Sequence, residues 1–281
     1  MRTRFFPDQL VPLVLTFVVC GIAIFILFGE ILALNFFAFT RELIKLHIRL
    51  ADVFVGITIY LKTSIDFAIF IGRLMSKYQG WKNRIMIEIG TALGNALGTL
   101  AILFIWDIFR EVRFLMAIMI TVAAFVLLRL AEEGLEHVKD EEGKYKLSFG
   151  GTAHLLEKTL SSINKAVAPV LNRLIPSLSI QDNGEKGYRG LFILAFSIPF
   201  ILGLDDFAGY IPLFNIVNVF GFAIGVFIGH MILNIFLFLS PNRTIQVVKN
   251  PIISFVGSIA FVALAIWGFV EAAKLIGLVA H

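Results

Sequence analysis

The sequence predicts an all-α integral membrane protein of about seven transmembrane helices, built as two inverted three-helix repeats behind an extra N-terminal helix. Three observations carry this expectation. Hydrophobic residues make up 58% of the chain and charged ones only 16%, with 29 phenylalanines among 281 residues, a mixture too apolar for a water-soluble domain. Apolar runs long enough to cross a hydrocarbon core about 30 Å thick recur along the chain. A short acidic pattern also occurs twice: Asp66-Phe67-Ala68-Ile69-Phe70-Ile71 aligns without a gap with Asp206-Phe207-Ala208-Gly209-Tyr210-Ile211.

In chain order, the first span covers about 9–34. Its basic start, Arg2 and Arg4, imitates a secretory signal, but the apolar run from Leu10 to Leu34 is longer than a signal core and has no clear small-x-small cleavage site. A retained helix is expected. Between Phe36 and Leu50, Arg41, Glu42, Lys45 and Arg49 interleave with Leu43, Ile44, Ile48 and Leu50, which gives an interfacial segment with one charged and one apolar face. The N-terminal helix and this segment make a first region, 1–49. Spans at about 50–75, 85–106 and 114–131 form the first repeat, 50–131, and spans at about 190–212, 214–239 and 251–278 form the second, 190–281. Because the Asp206 helix is the third span after the Asp66 helix, the two repeats cross the bilayer in opposite directions.

The linker 132–189 is the one sizeable polar stretch. It opens with Glu132, Glu133, Glu136, Asp140, Glu141 and Glu142, followed by Lys144 and Lys146. Leu156, Leu160, Ile163, Val167, Val170 and Leu174 then recur at helical spacing, so an amphipathic helix is expected there, kinked at Pro169. Asp182 to Gly187 reads as a flexible return, and the whole linker as a solvated tether. Lys and Arg near the span ends favour a cytoplasmic N-terminus and a cytoplasmic linker in a bacterial-type inner or plasma membrane.

Several functions are excluded or disfavoured by composition. The net charge of +4, spread over membrane-flanking loops, is an orientation signal and not a nucleic-acid surface. The lone Cys20 cannot supply a thiol pair for redox transfer. No Walker-type loop is present, and no nucleophile stands beside a base, so neither nucleotide use nor enzymatic catalysis is expected.

The polar residues inside the apolar spans are the functional candidates, because an ionisable group at membrane depth is costly unless it faces a cavity, a partner or an ion. Asp66 and Asp206 lead, since each recurs at the same place in its repeat without a basic partner on its own helix; Asp205 accompanies the second. Ser64 and Gly203 could allow a helix break beside them, the alternative being an Asp that merely caps the break. Glu88 and Asn95 share a face with Gly90, Gly94 and Gly98, a four-residue glycine spacing that admits a close neighbour. The bland reading of Glu88 is an interfacial acid paired with Arg84. In the second repeat Gly221, Gly225 and Gly229 reproduce the spacing, and His230 and Asn234 add two polar groups one turn apart. His230 reads as a metal ligand, a proton acceptor or a hydrogen-bonded core histidine. Asp66, Asp206, Glu88 and His230 are the metal-ligand candidates, and Ser64, Thr63, Asn95 and Asn234 would make their site oxygen-rich, suited to Mn²⁺, Ca²⁺ or Mg²⁺. Glu271, with Lys274 three residues on, reads as a solvated pair.

Ser64-Ile65-Asp66, Gly203-Leu204-Asp205-Asp206, Glu88-Ile89-Gly90 and Gly94-Asn95 resemble the motifs of the LysE superfamily of membrane exporters, which includes lysine-exporter, cadmium-resistance, TerC-like and manganese-exporter families. The likeness covers roughly residues 50–131 and 190–278. It implies two inverted three-helix units and efflux of a cation or small solute.

The leading expectation is a secondary transporter that exports a divalent metal cation through a midplane carboxylate site, coupled to protons. Export of a cationic amino acid or small solute is the first alternative, and a membrane scaffold or assembly subunit with structural acid pairs is the second. Expected partners are the lipid bilayer, the transported cation and protons. No permanently bound cofactor is expected, and oligomerisation is compatible with the pattern.

Overall fold

The structure is a computed structural model that describes residues 10–37, 43–78, 80–136, 138–139, 143, 145–146, 150–174, 187–215 and 217–278, the side chains of 37, 170–174, 201–209 and 215 excepted. Ten α-helices follow one another among these residues: α1 (Val11–Phe37), α2 (Leu50–Thr63), α3 (Ile65–Lys77), α4 (Trp81–Phe109), α5 (Arg113–Glu136), α6 (Gly150–Leu174), α7 (Tyr188–Tyr210), α8 (Val219–Leu239), α9 (Pro241–Val248) and α10 (Pro251–Leu275). A short 3-10 turn, Ile211–Asn215, precedes α8. Five of the helices, α1, α4, α5, α8 and α10, are long and apolar enough to cross a membrane, and α2 with α3 makes a sixth if the bent pair is one span. Helix α7 occupies the remaining stretch expected to span, and is apolar over Tyr188–Phe200. These helices are compatible with a multi-pass integral membrane protein.

Local chemistry sets several boundaries. Asn218 caps α8 by accepting from the Gly221 N–H at 3.1 Å, and its amide donates to the Lys45 carbonyl at 2.9 Å. Asn250 caps α10 by accepting from Ile252 N–H at 2.9 Å, with Pro251 at the first helical position. The segment before α2 carries no regular secondary structure where it is described, and Asn35 ties it back to α1 through paired bonds of 2.9 and 2.8 Å with the Ile44 backbone. Arg49 then grips Asp52 in the first turn of α2 with two bonds of 2.7 and 2.9 Å, so a buried carboxylate is neutralised at a helix N-terminus.

The chain divides into two compact units. The first contains Met1–Asp107, Ser179–Asp206 and Val217–Ile245. Here the glycine spacings become backbone contacts. On α8, Gly221 faces Arg49 and Asp52, Gly225 faces Val53 and Gly56, and Gly229 faces Ile57 and Tyr60, so α2 and α8 run parallel at close range. On α4, Gly90 faces Phe192 and Ala195, Gly94 faces Phe196 and Pro199, and Gly98 faces Phe200, so α4 and α7 form a second parallel pair. Helix α1 lies antiparallel along α8, with Phe28 against Phe220 and Cys20 against the Phe227 carbonyl.

The second unit contains Ile108–Leu178, Phe207–Ile216 and Gln246–His281. Helices α5 and α10 pack antiparallel, since Gly134 meets Ser258 while Gly268 meets Ala124 and Ile120. Helix α6 lays Leu156, Leu160 and Ile163 against this pair and continues as one helix past Pro169. The Asn164 amide reaches the Leu128 carbonyl at 3.3 Å and the Glu132 carboxylate. At its start, Glu157 accepts from both Lys139 and Tyr145, which clamps the segment after α5 onto α6. Asp140, Glu141, Glu142 and Lys144, like the return 182–186, lie outside the described residues.

Candidate functional site

Within the first unit, four helices bring polar side chains into one buried chain of hydrogen bonds. His230 stands near the middle of α8, and Asn234 follows one turn later on the same face. Glu88 enters from the second turn of α4 and is 1% exposed. The Asn234 amide nitrogen donates to the Glu88 carboxylate at 2.8 Å, stands 3.0 Å from His230 Nε2 and has a longer, 3.4 Å contact with Thr91 Oγ1. Tyr60 Oη, from α2, lies 2.6 Å from His230 Nδ1. Thr16 of α1 is within hydrogen-bonding reach of Glu88 and also of the Pro12 carbonyl, at 2.9 Å.

The order of donors and acceptors follows from valence. With Glu88 ionised, its carboxylate only accepts and the amide turns its nitrogen to it. That nitrogen carries two hydrogens, and in the tautomer with the ring proton on Nδ1 the second goes to His230 Nε2, 3.0 Å away, while Nδ1 donates to Tyr60 Oη. This arrangement leaves Asn234 Oδ1 buried with no partner, among the described residues. The rings of Tyr60 and Phe67 stand 5.7 and 5.6 Å from the His230 ring and hold it between α2 and α3. The α2–α3 bend of 64° falls between these two contacts, at Ser64, whose hydroxyl is buried and has no partner among the described residues.

The expected residues thus separate into groups. Glu88, Asn234 and His230 come together, and Asn95, 7% exposed, lines a small cavity beside His230. Ser64 occupies the break, and Thr63 is buried with its hydroxyl 3.2 Å from the Tyr60 carbonyl. Asp66 is exposed in the first turn of α3. Asp205 and Asp206 fall on the last turns of α7, where side chains lie outside the described residues. Arg84 donates to the Phe238 carbonyl at 3.2 Å, while Glu88 takes the amide of Asn234. Among the described residues no three His, Cys, Asp or Glu side chains gather as a metal-ligand set. Sequence reasoning passed over Tyr60, Thr91 and Thr16, all buried within apolar helices; Tyr60 was detectable as a hydroxyl one turn before Ser64.

No family model, curated protein or solved structure matches the chain.

Proposed function

We propose that this protein is a secondary membrane transporter that moves a cation in exchange for protons, with Glu88, Asn234, His230 and Tyr60 as its working centre. The observation that carries this reading is a carboxylate fully inside a helical unit, held by an amide and linked through it to a histidine and a phenol. Intramembrane acids and histidines so connected are the usual makings of ion and proton pathways. Cation chemistry fits the acidic centre, and efflux is the direction that the LysE-like motifs imply.

The chain of donors couples its two ends. A proton arriving at Glu88 makes one carboxyl oxygen a donor while the other still accepts, and where the O–H faces Asn234 the amide turns Oδ1 to it in place of its nitrogen. With Oδ1 turned inward the bond from the amide to His230 Nε2 is lost, and with it part of what fixes the ring against Tyr60. Loading Glu88 is in this way felt at α2, next to the break at Ser64. A bound cation would displace the Glu88 proton and restore the first arrangement, which is exchange at one site.

An inverted duplication underlies the proposal. It is supported by an exchange of contacts: the first helix of each half, α2 or α7, lies in the glycine groove of the second helix of the other, α8 or α4. Residues 52, 56 and 60 face Gly221, Gly225 and Gly229 while 192, 196 and 200 face Gly90, Gly94 and Gly98, the correspondence that the Asp66 and Asp206 alignment requires. Two halves that hold each other in this crossed manner can exchange conformations about a common site.

The test is flux in proteoliposomes under an imposed pH gradient, over a panel of divalent metals and cationic amino acids. Glu88→Gln should abolish gradient-driven flux, and Asp66→Asn should impair it less. Full flux in Glu88→Gln would sink the assignment of the centre. Absence of flux for every cation would favour a structural role for the polar chain.

A further inference from the structure

Beside the polar chain, α1, α4 and α8 leave a cavity of about 10 Å³ lined by Thr16, Cys20, Asn95 and His230 among apolar neighbours that include Ala92 and Phe227. That is about the room for the centre of one water molecule, the lower limit for holding one. Its walls are not neutral. Asn95 is nine-tenths buried, and its side-chain amide has no hydrogen-bond partner among the described residues. A buried side-chain amide needs partners for its donors and its acceptor, about 1–3 kcal/mol riding on each bond, and the space beside Asn95 can hold one. Thr16 presents a hydroxyl to the same space, and that hydroxyl is the one in reach of Glu88.

We infer that this cavity is a binding site for a single water molecule, which accepts from the Asn95 amide, donates to Thr16 Oγ1 and extends the polar chain from Glu88 towards α1. Size and ligand chemistry decide the occupant. An amino-acid side chain does not fit about 10 Å³. A hard cation needs six or more oxygens, whereas the lining side chains supply two, from Thr16 and Asn95. A water needs two to four polar partners and finds them here. With the water in place, a proton given to it can pass to the Thr16 oxygen once the Thr16 hydroxyl has turned from the Pro12 carbonyl to Glu88 and hands its own proton on, so the water and Thr16 each gain one proton and give one up and Glu88 keeps the last. The occupancy stands on the cavity alone. The proton-relay role rests on the transport reading above.

Two measurements separate these statements. A density map of the intact protein finer than about 2 Å should show one peak within hydrogen-bonding distance of Asn95 and Thr16; an empty cavity, or a peak with metal-like distances, overturns the site whatever the protein transports. Infrared difference spectra in H₂¹⁶O and H₂¹⁸O should contain an isotope-shifted water band that is lost in Ala92→Leu, which fills the cavity while leaving every polar side chain of its lining in place; a band that survives the filling also overturns it. For the role, Thr16→Val should slow proton uptake on the order of tenfold or more, and Thr16→Ser should restore it. Equal rates in Thr16→Val and the parent would overturn the relay while leaving the site intact.

Discussion

The amide nitrogen of Asn234 stands 2.8 Å from the carboxylate of Glu88, across 146 residues of sequence, and ties α8 to the acid of α4. A carboxylate in an apolar bundle survives only if its lone pairs are used, so the pair must be broken together or not at all.

Asn234→Leu removes the donor and leaves Glu88 without it, so the folded protein should lose on the order of 3 kcal/mol. Thermal unfolding in mild detergent measures this. In the double variant with Glu88→Gln most of that loss should be recovered, and an additive double variant would show that the two residues are uncoupled.

Tyr60→Phe deletes the group that receives the His230 Nδ1 proton at 2.6 Å. The expected cost is about 1 kcal/mol, typical of a hydrogen bond between helices in a membrane. Nitrogen NMR of labelled histidine should show the Nδ1–H form in the parent protein and a mixed population in the variant. An Nε2–H form in the parent would refute the donor order derived above.

Gly94→Ala and Gly98→Ala should differ sharply although they lie one turn apart on α4. A Cβ at 94 would run into the Phe196 carbonyl and come within 2.8 Å of Pro199, whereas at 98 the nearest atom is the Phe200 carbonyl at 3.6 Å. The first substitution should cost about 1–3 kcal/mol and the second should be tolerated. Similar melting temperatures for both would mean that α4 and α7 are not packed at this distance.

Glu157 supplies the pH dependence. Burial pushes its carboxyl up, but the bonds from Lys139 and Tyr145 outweigh this and hold it below its ordinary value of 4.5. A lowered folded pKa means that the clamp contributes fully above that ordinary value and loses its contribution as pH falls through the folded one. Burial and the same carboxylate raise the Tyr145 hydroxyl, which therefore stays a donor throughout. Protection of the α6 amides from hydrogen exchange, corrected for the intrinsic rate at each pH, should fall on acidification below 4.5. Glu157→Gln should be less protected at neutral pH and lose little further protection on acidification; a variant as protected as the parent at pH 7 would show that the clamp is idle.

The helical class and most of the spans were legible because apolar length is a one-dimensional signal, and the glycine spacings likewise announced where backbones would meet. The partners of those glycines were not legible, because which helix fills a groove is decided across the bundle. The site shows the same division. His230 and Asn234 stood out as neighbours on one helix face, but their link to Glu88 and Tyr60 joins four distant segments. Asp66 looked like the central acid because an aspartate within apolar sequence implies burial, but on α3 it takes the exposed face while its neighbours Ile65, Phe67 and Ala68 take the buried one.

The close approach of Gly56 to Gly225 also limits how this chain can change over generations. A side-chain carbon on Gly56 would lie 3.0 Å from the Cα of Gly225, and one on Gly225 equally near the Cα of Gly56. Neither position therefore has a viable single-step neighbour while the other stays as it is, and even the smallest side chain at one is blocked by main chain that no second substitution can trim away. Drift at this pair is closed, and a lineage that escapes it must first respace α2 and α8 along their whole length.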